Sequence, residues 1–199
     1  PEFSCIEGDT DEATARLPYA WTLVDTVEAL VVANTAYAEW CRRGQQLTGL
    51  DCETDVALDH PNEMMDKLVG VAISFGEDCY YGSIEYEPWA EALRRWLPEL
   101  RWVGHNAKYD ASVLRCNGFP TGTVAGDSLL AAYLLGVPSA GLKALVKHRY
   151  GVSMTTYAEV VGEGKHRKSI SEIDPNVVAP YCCGDAYWAQ RLLLGLLAE

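Results

Sequence analysis

Two carboxylates spaced two residues apart, Asp51 and Glu53, close the segment Leu47-Thr48-Gly49-Leu50-Asp51-Cys52-Glu53. In an extended strand, residues i and i+2 face the same side, so both acids would project together. Paired carboxylates repel each other unless a cation lies between them, and a divalent ion bound by oxygen is the usual solution. A third acid, Asp110, ends the run Val103-Gly104-His105-Asn106-Ala107-Lys108-Tyr109-Asp110, where a short strand turns into a helix. It would stand one turn inside that helix, where the macrodipole favours an acid. The fourth lies in Tyr181-Cys182-Cys183-Gly184-Asp185. Positions i and i+4 share a helical face, so the Tyr181 hydroxyl and the Asp185 carboxylate can address one point. Taken singly, each run has an ordinary reading as a solvated strand end, an exposed acid early in a helix, or a core tyrosine beside a surface acid. Their order along one chain is more specific than any of them alone.

The elements that must position these groups alternate between strand and helix. Strand patterns are read at Trp21–Asp25, Gln46–Glu53, Leu68–Phe75, Asp78–Ser83 and Arg101–Gly104, with Gly76-Glu77 joining the third and fourth as a hairpin. Helical spacing covers Thr26–Arg43, Glu87–Leu97, Lys108–Cys116 and Leu142–Tyr150. Asp127 is placed to cap a helix over Ser128–Leu135. Pro175 suits the first turn of a long final helix reaching about Leu197, and Pro180 is an awkward residue inside it. This order predicts an α/β layer protein with a mixed sheet.

The chain has 199 residues, which suggests one domain. Residues 1–17 hold five acids and one arginine with no apolar periodicity, and read as an acidic tail before a domain spanning 18–199. The formal charge of −12 argues at first against a nucleic-acid partner. Residues 140–170 run the other way at net +4, with Lys143, Lys147, Arg149, Lys165, Arg167 and Lys168 against Glu159 and Glu163. The ordinary reading of such a window is a solvated face. Seven scattered cysteines without a C-x-x-C pair indicate neither a disulfide framework nor a cysteine zinc site, and fit a reducing cytoplasm. No secretory signal and no apolar run of membrane-spanning length is read in the sequence.

The three acidic runs in this order resemble the exonuclease motifs of the DEDD 3′–5′ exonucleases, in their tyrosine-containing branch. The likeness is greatest to the proofreading domain of bacterial and phage family-A DNA polymerases, the polymerase I type. Asn106-Ala107-Lys108-Tyr109-Asp110 resembles that family's N-x-K-Y-D, and Asp127-Ser128 with Leu129–Leu135 resembles its D-T-x-L-x-x-Y-L. Thr156-Tyr157-Ala158-Glu159 with Gly162-Glu163-Gly164-Lys165 resembles its T-F-x-E…G-x-G-K loop.

The resemblance implies a ribonuclease H-like fold, with a central five-stranded mixed sheet flanked by helices. It implies metal-dependent hydrolysis at the 3′ end of single-stranded or frayed DNA, releasing nucleoside 5′-monophosphates. Asp51, Glu53, Asp110 and Asp185 would hold two divalent ions, Mg²⁺ or Mn²⁺. Tyr181 would orient the attacking water rather than act as a base, since an unperturbed phenol titrates near about pH 10. Substrate contacts would come from Asn106, Leu58, His148, Tyr157, Lys165, Arg167 and Lys168. Leu58 would stand in for the wedging leucine of the family, because Ala57 occupies its usual place. Tyr157 would offer a stacking surface to a base.

The resemblance also implies a soluble monomer in the cytoplasm, either a domain of a longer polymerase or a free-standing nuclease. Two rival readings stay open. One is a ribonuclease D-like RNA exonuclease, which shares the tyrosine branch and the fold. The other is a catalytically silent domain that binds DNA or braces a polymerase.

Overall fold

β-branched and aromatic runs alternating with amphipathic segments produce a sheet between two helical layers. The computed structural model describes residues 17–44, 47–56, 61–137 and 141–198. Residues 1–16 of the expected acidic tail and Leu58 therefore lie outside the described residues, as does the side chain of Lys165. In chain order the elements are β1 (Ala20–Leu23), α1 (Val27–Arg42), β2 (Thr48–Asp55), β3 (Lys67–Phe75) and β4 (Asp78–Ser83). They continue through α2 (Glu87–Trp96), β5 (Arg101–Gly104), α3 (Ala107–Cys116), β6 (Thr123–Asp127) and α4 (Ser128–Leu134). The chain then forms α5 (Leu142–Tyr150), α6 (Tyr157–Val161) and α7 (Pro175–Leu196).

The strands form one mixed sheet in the order β1-β4-β3-β2-β5-β6. β3 runs antiparallel to both β2 and β4, while β1–β4, β2–β5 and β5–β6 are parallel pairs. The five strands expected from the sequence all form, and the sheet has a sixth. That strand, β6, is the Thr-Val-Ala-Gly-Asp segment before the α4 cap. It is short, contains a glycine and lies at the sheet edge with an exposed start, so it lacks the apolar alternation that marks a strand in sequence.

Side-chain alternation sorts the core into two layers. Leu50 and Cys52 of β2, with Ile73 and Phe75 of β3, pack against Trp40, Trp89, Leu93 and Trp96 from α1 and α2. On the other face, Ala72, Cys79 and Tyr81 pack against Cys182, Cys183, Ala186 and Tyr187 of α7. Asp51 and Glu53, out of phase with Leu50 and Cys52, thus face the α7 layer.

Local chemistry fixes where the helices begin. The Thr26 hydroxyl accepts from the Ala29 amide at the start of α1, and the Asp174 carboxylate accepts from the Asn176 amide at the start of α7. Thr156 and Glu159 form a reciprocal capping box on α6. α7 runs through Pro180 as one helix of 22 residues. No helix among the described residues is long and apolar enough to cross a membrane.

Candidate active site

The acidic runs meet where β2, α3 and α7 converge. α7 can approach the sheet closely because Gly49 offers no Cβ, and one built there would collide with the Ala186 carbonyl. That approach sets Cys182 Sγ 3.3 Å from Asp51 Oδ2. β5 pairs with β2 only at Thr48–Trp102 and Gly49–Val103, and beyond them the β2 edge is open. α3 fills the opening, and Asp110 Oδ1 accepts the Cys52 amide at 3.1 Å. Asp110 thereby arrives from the opposite helical layer. The pairing of β2 with β3 shifts register between Glu53 and Thr54, a bulge of the kind that re-aims side chains beside active sites.

The turn from β5 into α3 depends on Asn106 and Asp127. Asn106 adopts φ 71°, in the left-handed region that asparagine tolerates better than most residues. The Asp127 carboxylate accepts from the amides of Asn106 (3.1 Å) and Ala107 (2.9 Å), and also from Leu129 (2.9 Å) at the start of α4. One carboxylate thus ties two helix starts together. Tyr109 is fixed by its hydroxyl, which donates to Asp66 Oδ2 at 2.7 Å and lies 2.8 Å from the Thr54 hydroxyl.

The electrostatics are those of acids crowded away from water. Burial is the main cause that raises the Asp51 carboxyl well above the ordinary range, followed by the charges of Asp185, Asp110 and Glu53. Burial, then the charge of Asp185, pushes Glu53 up to about 8 against a hydrogen bond from Cys182. Asp110 rises to about 7 by burial, opposed by its bond from the Cys52 amide. Asp185 is also raised by burial, but Lys143 pulls it back. The Lys143 ammonium lies 2.6 and 2.8 Å from the two Asp185 oxygens and 4.4 Å from the centre of the Tyr181 ring. Burial and the neighbouring carboxylates raise the Tyr181 phenol, so it is a hydrogen-bond donor at neutral pH.

Asp51 and Glu53 are the residues fitted to hold a divalent ion. They are crowded acids with raised pKa values, and Lys143 forms its ion pair with Asp185 instead. Their oxygens and Cys182 Sγ all lie within 4.8 Å of one another. That cluster contains neither Asp110 nor Asp185, which act on Asp51 through their charges.

Beside the acids opens a cleft of about 360 Å³, lined by Glu53, Thr54, Asn106, Tyr109, Tyr157 and Arg167 among others. The Arg167 guanidinium lies 5.5 Å from the centre of the Tyr157 ring. Arg167 and Lys168 continue into an adjoining depression with Asp55 and Ser169. Asn106, Tyr157, Arg167 and Lys168 are therefore brought to the site. His148 is exposed on α5 and belongs to neither lining. Lys143 and Cys182 were not among the site residues expected from sequence. Lys143 lies 42 residues from Asp185 with no local pattern linking them, whereas the position of Cys182, one residue after Tyr181, was a usable signal.

A mixed sheet carrying D-x-E on one strand, an acid on the following helix and a Tyr/Asp pair on the last helix is the architecture of the DEDD 3′–5′ exonucleases, in a ribonuclease H-like fold. A family model described as 3′–5′ exonuclease matches residues 29–198, and the chain belongs to that family. DNA polymerase I of Chloroflexus aurantiacus is 28% identical over 171 residues, covering 79% of this chain and 18% of the polymerase. The chain thus spans less than a fifth of that relative. Trypanosoma brucei RNase D in complex with RNA U12 has the same fold (TM-score 0.67, 19% identity, 92% of this chain and 64% of that one). Brucella melitensis NrnC with bound Mg²⁺ is also similar (TM-score 0.55, 20% identity, 78% of this chain and 73% of that one).

Proposed function

We propose that the chain is a metal-dependent 3′–5′ exonuclease acting on single-stranded nucleic acid. The observation that carries this reading is the convergence of Asp51, Glu53, Asp110 and Asp185 with one ammonium, Lys143, paired to one of them. Two divalent ions, Mg²⁺ or Mn²⁺, would be held by these four carboxylates. When bound, such ions stabilise charge on the attacking and leaving oxygens of a phosphodiester. Tyr181, kept protonated by its surroundings, orients the attacking water through its hydroxyl. Asn106 and the Tyr157–Arg167 pair receive the terminal nucleotides, by hydrogen bonding, stacking and phosphate contact. Lys165 and Lys168 add basic charge on the same segment. Leu58 as a wedge and His148 as a substrate contact rest on the resemblance alone.

For the substrate, the fold neighbours support the ribonuclease D-like alternative better than DNA proofreading, since the solved relatives include RNase D from two organisms, one with RNA U12. The polymerase relative supports the second reading, a proofreading domain joined to a polymerase in the same natural chain. The full set of carboxylates argues against a silent domain. Competition between 5′-labelled RNA and DNA oligomers of one sequence separates the two substrates, because they differ at the 2′-hydroxyl. Preferential shortening of RNA supports the first reading, and preferential shortening of DNA the second.

A further inference from the structure

Cys182 is buried in the acidic site and has no part in the proposed hydrolysis. Its Sγ lies 3.3 Å from Asp51 Oδ2 and 3.6 Å from the Asp51 carbonyl. Glu53, only 5% exposed, brings a carboxylate oxygen within 4.8 Å of the same sulfur. The thiol thus points at one carboxylate with a second close by, an arrangement of donors that a cation could join. The distances suit an ion directly. Around a tetrahedral ion with bonds of about 2.0 Å to oxygen and about 2.3 Å to sulfur, adjacent oxygen and sulfur donors stand about 3.5 Å apart. All three donor atoms fall within 4.8 Å of one another.

We infer that Asp51, Glu53 and Cys182 form a binding site for a thiophilic divalent cation of the Zn²⁺ class, and that its occupation arrests the nuclease. Binding breaks the S–H bond of Cys182, forms one metal–sulfur bond and releases one proton to solvent, with no change of oxidation state. The thiolate gives the site a preference that oxygen ligands lack. Mg²⁺ demands oxygen in near-octahedral geometry, whereas Zn²⁺, Cd²⁺ and Co²⁺ accept sulfur. A thiophilic ion anchored on Cys182 takes the same two carboxylates that the hydrolytic ions require. Arrest rests on the proposed exonuclease activity, whereas binding does not.

Co²⁺ is the probe, because a thiolate ligand gives it a sulfur-to-cobalt charge-transfer band in the near ultraviolet. The background protein carries Cys5→Ser, Cys41→Ser and Cys116→Ser, which removes the cysteines that are exposed or outside the described residues. The band is expected to appear on titration of this background and to vanish in Cys182→Ser and Cys182→Ala, with far-UV circular dichroism confirming that each variant is folded. No band in the background, or a band that survives both substitutions, overturns the site. In a second measurement Zn²⁺ is titrated against each protein's own Mg²⁺-supported rate. The half-inhibitory concentration is expected to rise at least about tenfold in Cys182→Ala, and equal sensitivity overturns the arrest. A cobalt band without Mg²⁺-supported hydrolysis would remove the exonuclease reading and leave the site standing. Hydrolysis without a band would do the reverse.

Discussion

The ammonium of Lys143 lies 2.6 and 2.8 Å from the two carboxylate oxygens of Asp185, bridging α5 and α7 across 42 residues of sequence. Both side chains are mostly shielded, at 26% and 13% exposure, so removing one partner costs more than it would in an exposed pair. Lys143→Met leaves Asp185 among the other acids without a cation. In EDTA it is expected to lower unfolding stability by about 1–3 kcal/mol, and saturating Mg²⁺ should recover most of that loss. Denaturant melts with and without metal check this, and an unchanged midpoint in EDTA would show that the pair contributes nothing.

The metal-free protein should lose stability as pH rises. Glu53 and Asp110 have folded-state values of about 8 and about 7, above the roughly 4 of an unfolded carboxyl. Between those limits the folded state binds more protons than the unfolded chain, so unfolding free energy falls with increasing pH. Melting temperature in EDTA should therefore fall between about pH 4.5 and 8. Glu53→Gln should make that slope shallower, and Mg²⁺ should stabilise most at the alkaline end. A slope equally steep in Glu53→Gln would contradict the assignment.

Asp127 is expected to act through position. Its carboxylate holds the amides of Asn106, Ala107 and Leu129, and so fixes the turn that delivers Asp110. Asp127→Ala should cost about 1–2 kcal/mol of stability, the scale of a lost helix cap. It should also lower kcat more than KM, with Asp127→Asn intermediate. Melts and steady-state kinetics on the same preparations decide the point, and a loss confined to KM would place Asp127 in substrate binding instead.

Binding in the cleft is separable from chemistry. Tyr157→Ala should weaken binding of a single-stranded oligomer by about 1–3 kcal/mol, the range for one base stacked on an aromatic ring. Arg167→Ala should weaken it too and reduce the salt dependence by about one phosphate contact. Fluorescence anisotropy at several salt concentrations, with Ca²⁺ in place of Mg²⁺, measures both. Unchanged affinity in both variants would leave the Tyr157–Arg167 contact as surface packing.

What the sequence revealed follows from the range of the interactions involved. The i,i+2 spacing of Asp51 and Glu53 and the i,i+4 spacing of Tyr181 and Asp185 are local geometry, as is the cap at Asp127. These were legible, together with five strands and every helix but the five-residue α6. β6 was not, because a short edge strand with no buried residue carries little apolar pattern. The Lys143–Asp185 pair was hidden as well. A basic residue in a basic window reads as a substrate contact until the fold turns it inward. Cys182 stood next to Tyr181 in the sequence, but its approach to Asp51 appears only once β2 and α7 close around Gly49.

The most direct test of exonuclease activity follows a 5′-labelled single-stranded oligomer over time with Mg²⁺ or Mn²⁺, with EDTA, and with Asp110→Ala. A ladder shortening one nucleotide at a time from the 3′ end is expected, stopped by EDTA. Asp110→Ala should reduce the rate by roughly 10³-fold, the several kcal/mol of a metal clamp, with the far-UV spectrum unchanged. No shortening with either metal, shortening that survives EDTA, or a folded Asp110→Ala protein of unchanged rate would contradict the exonuclease reading.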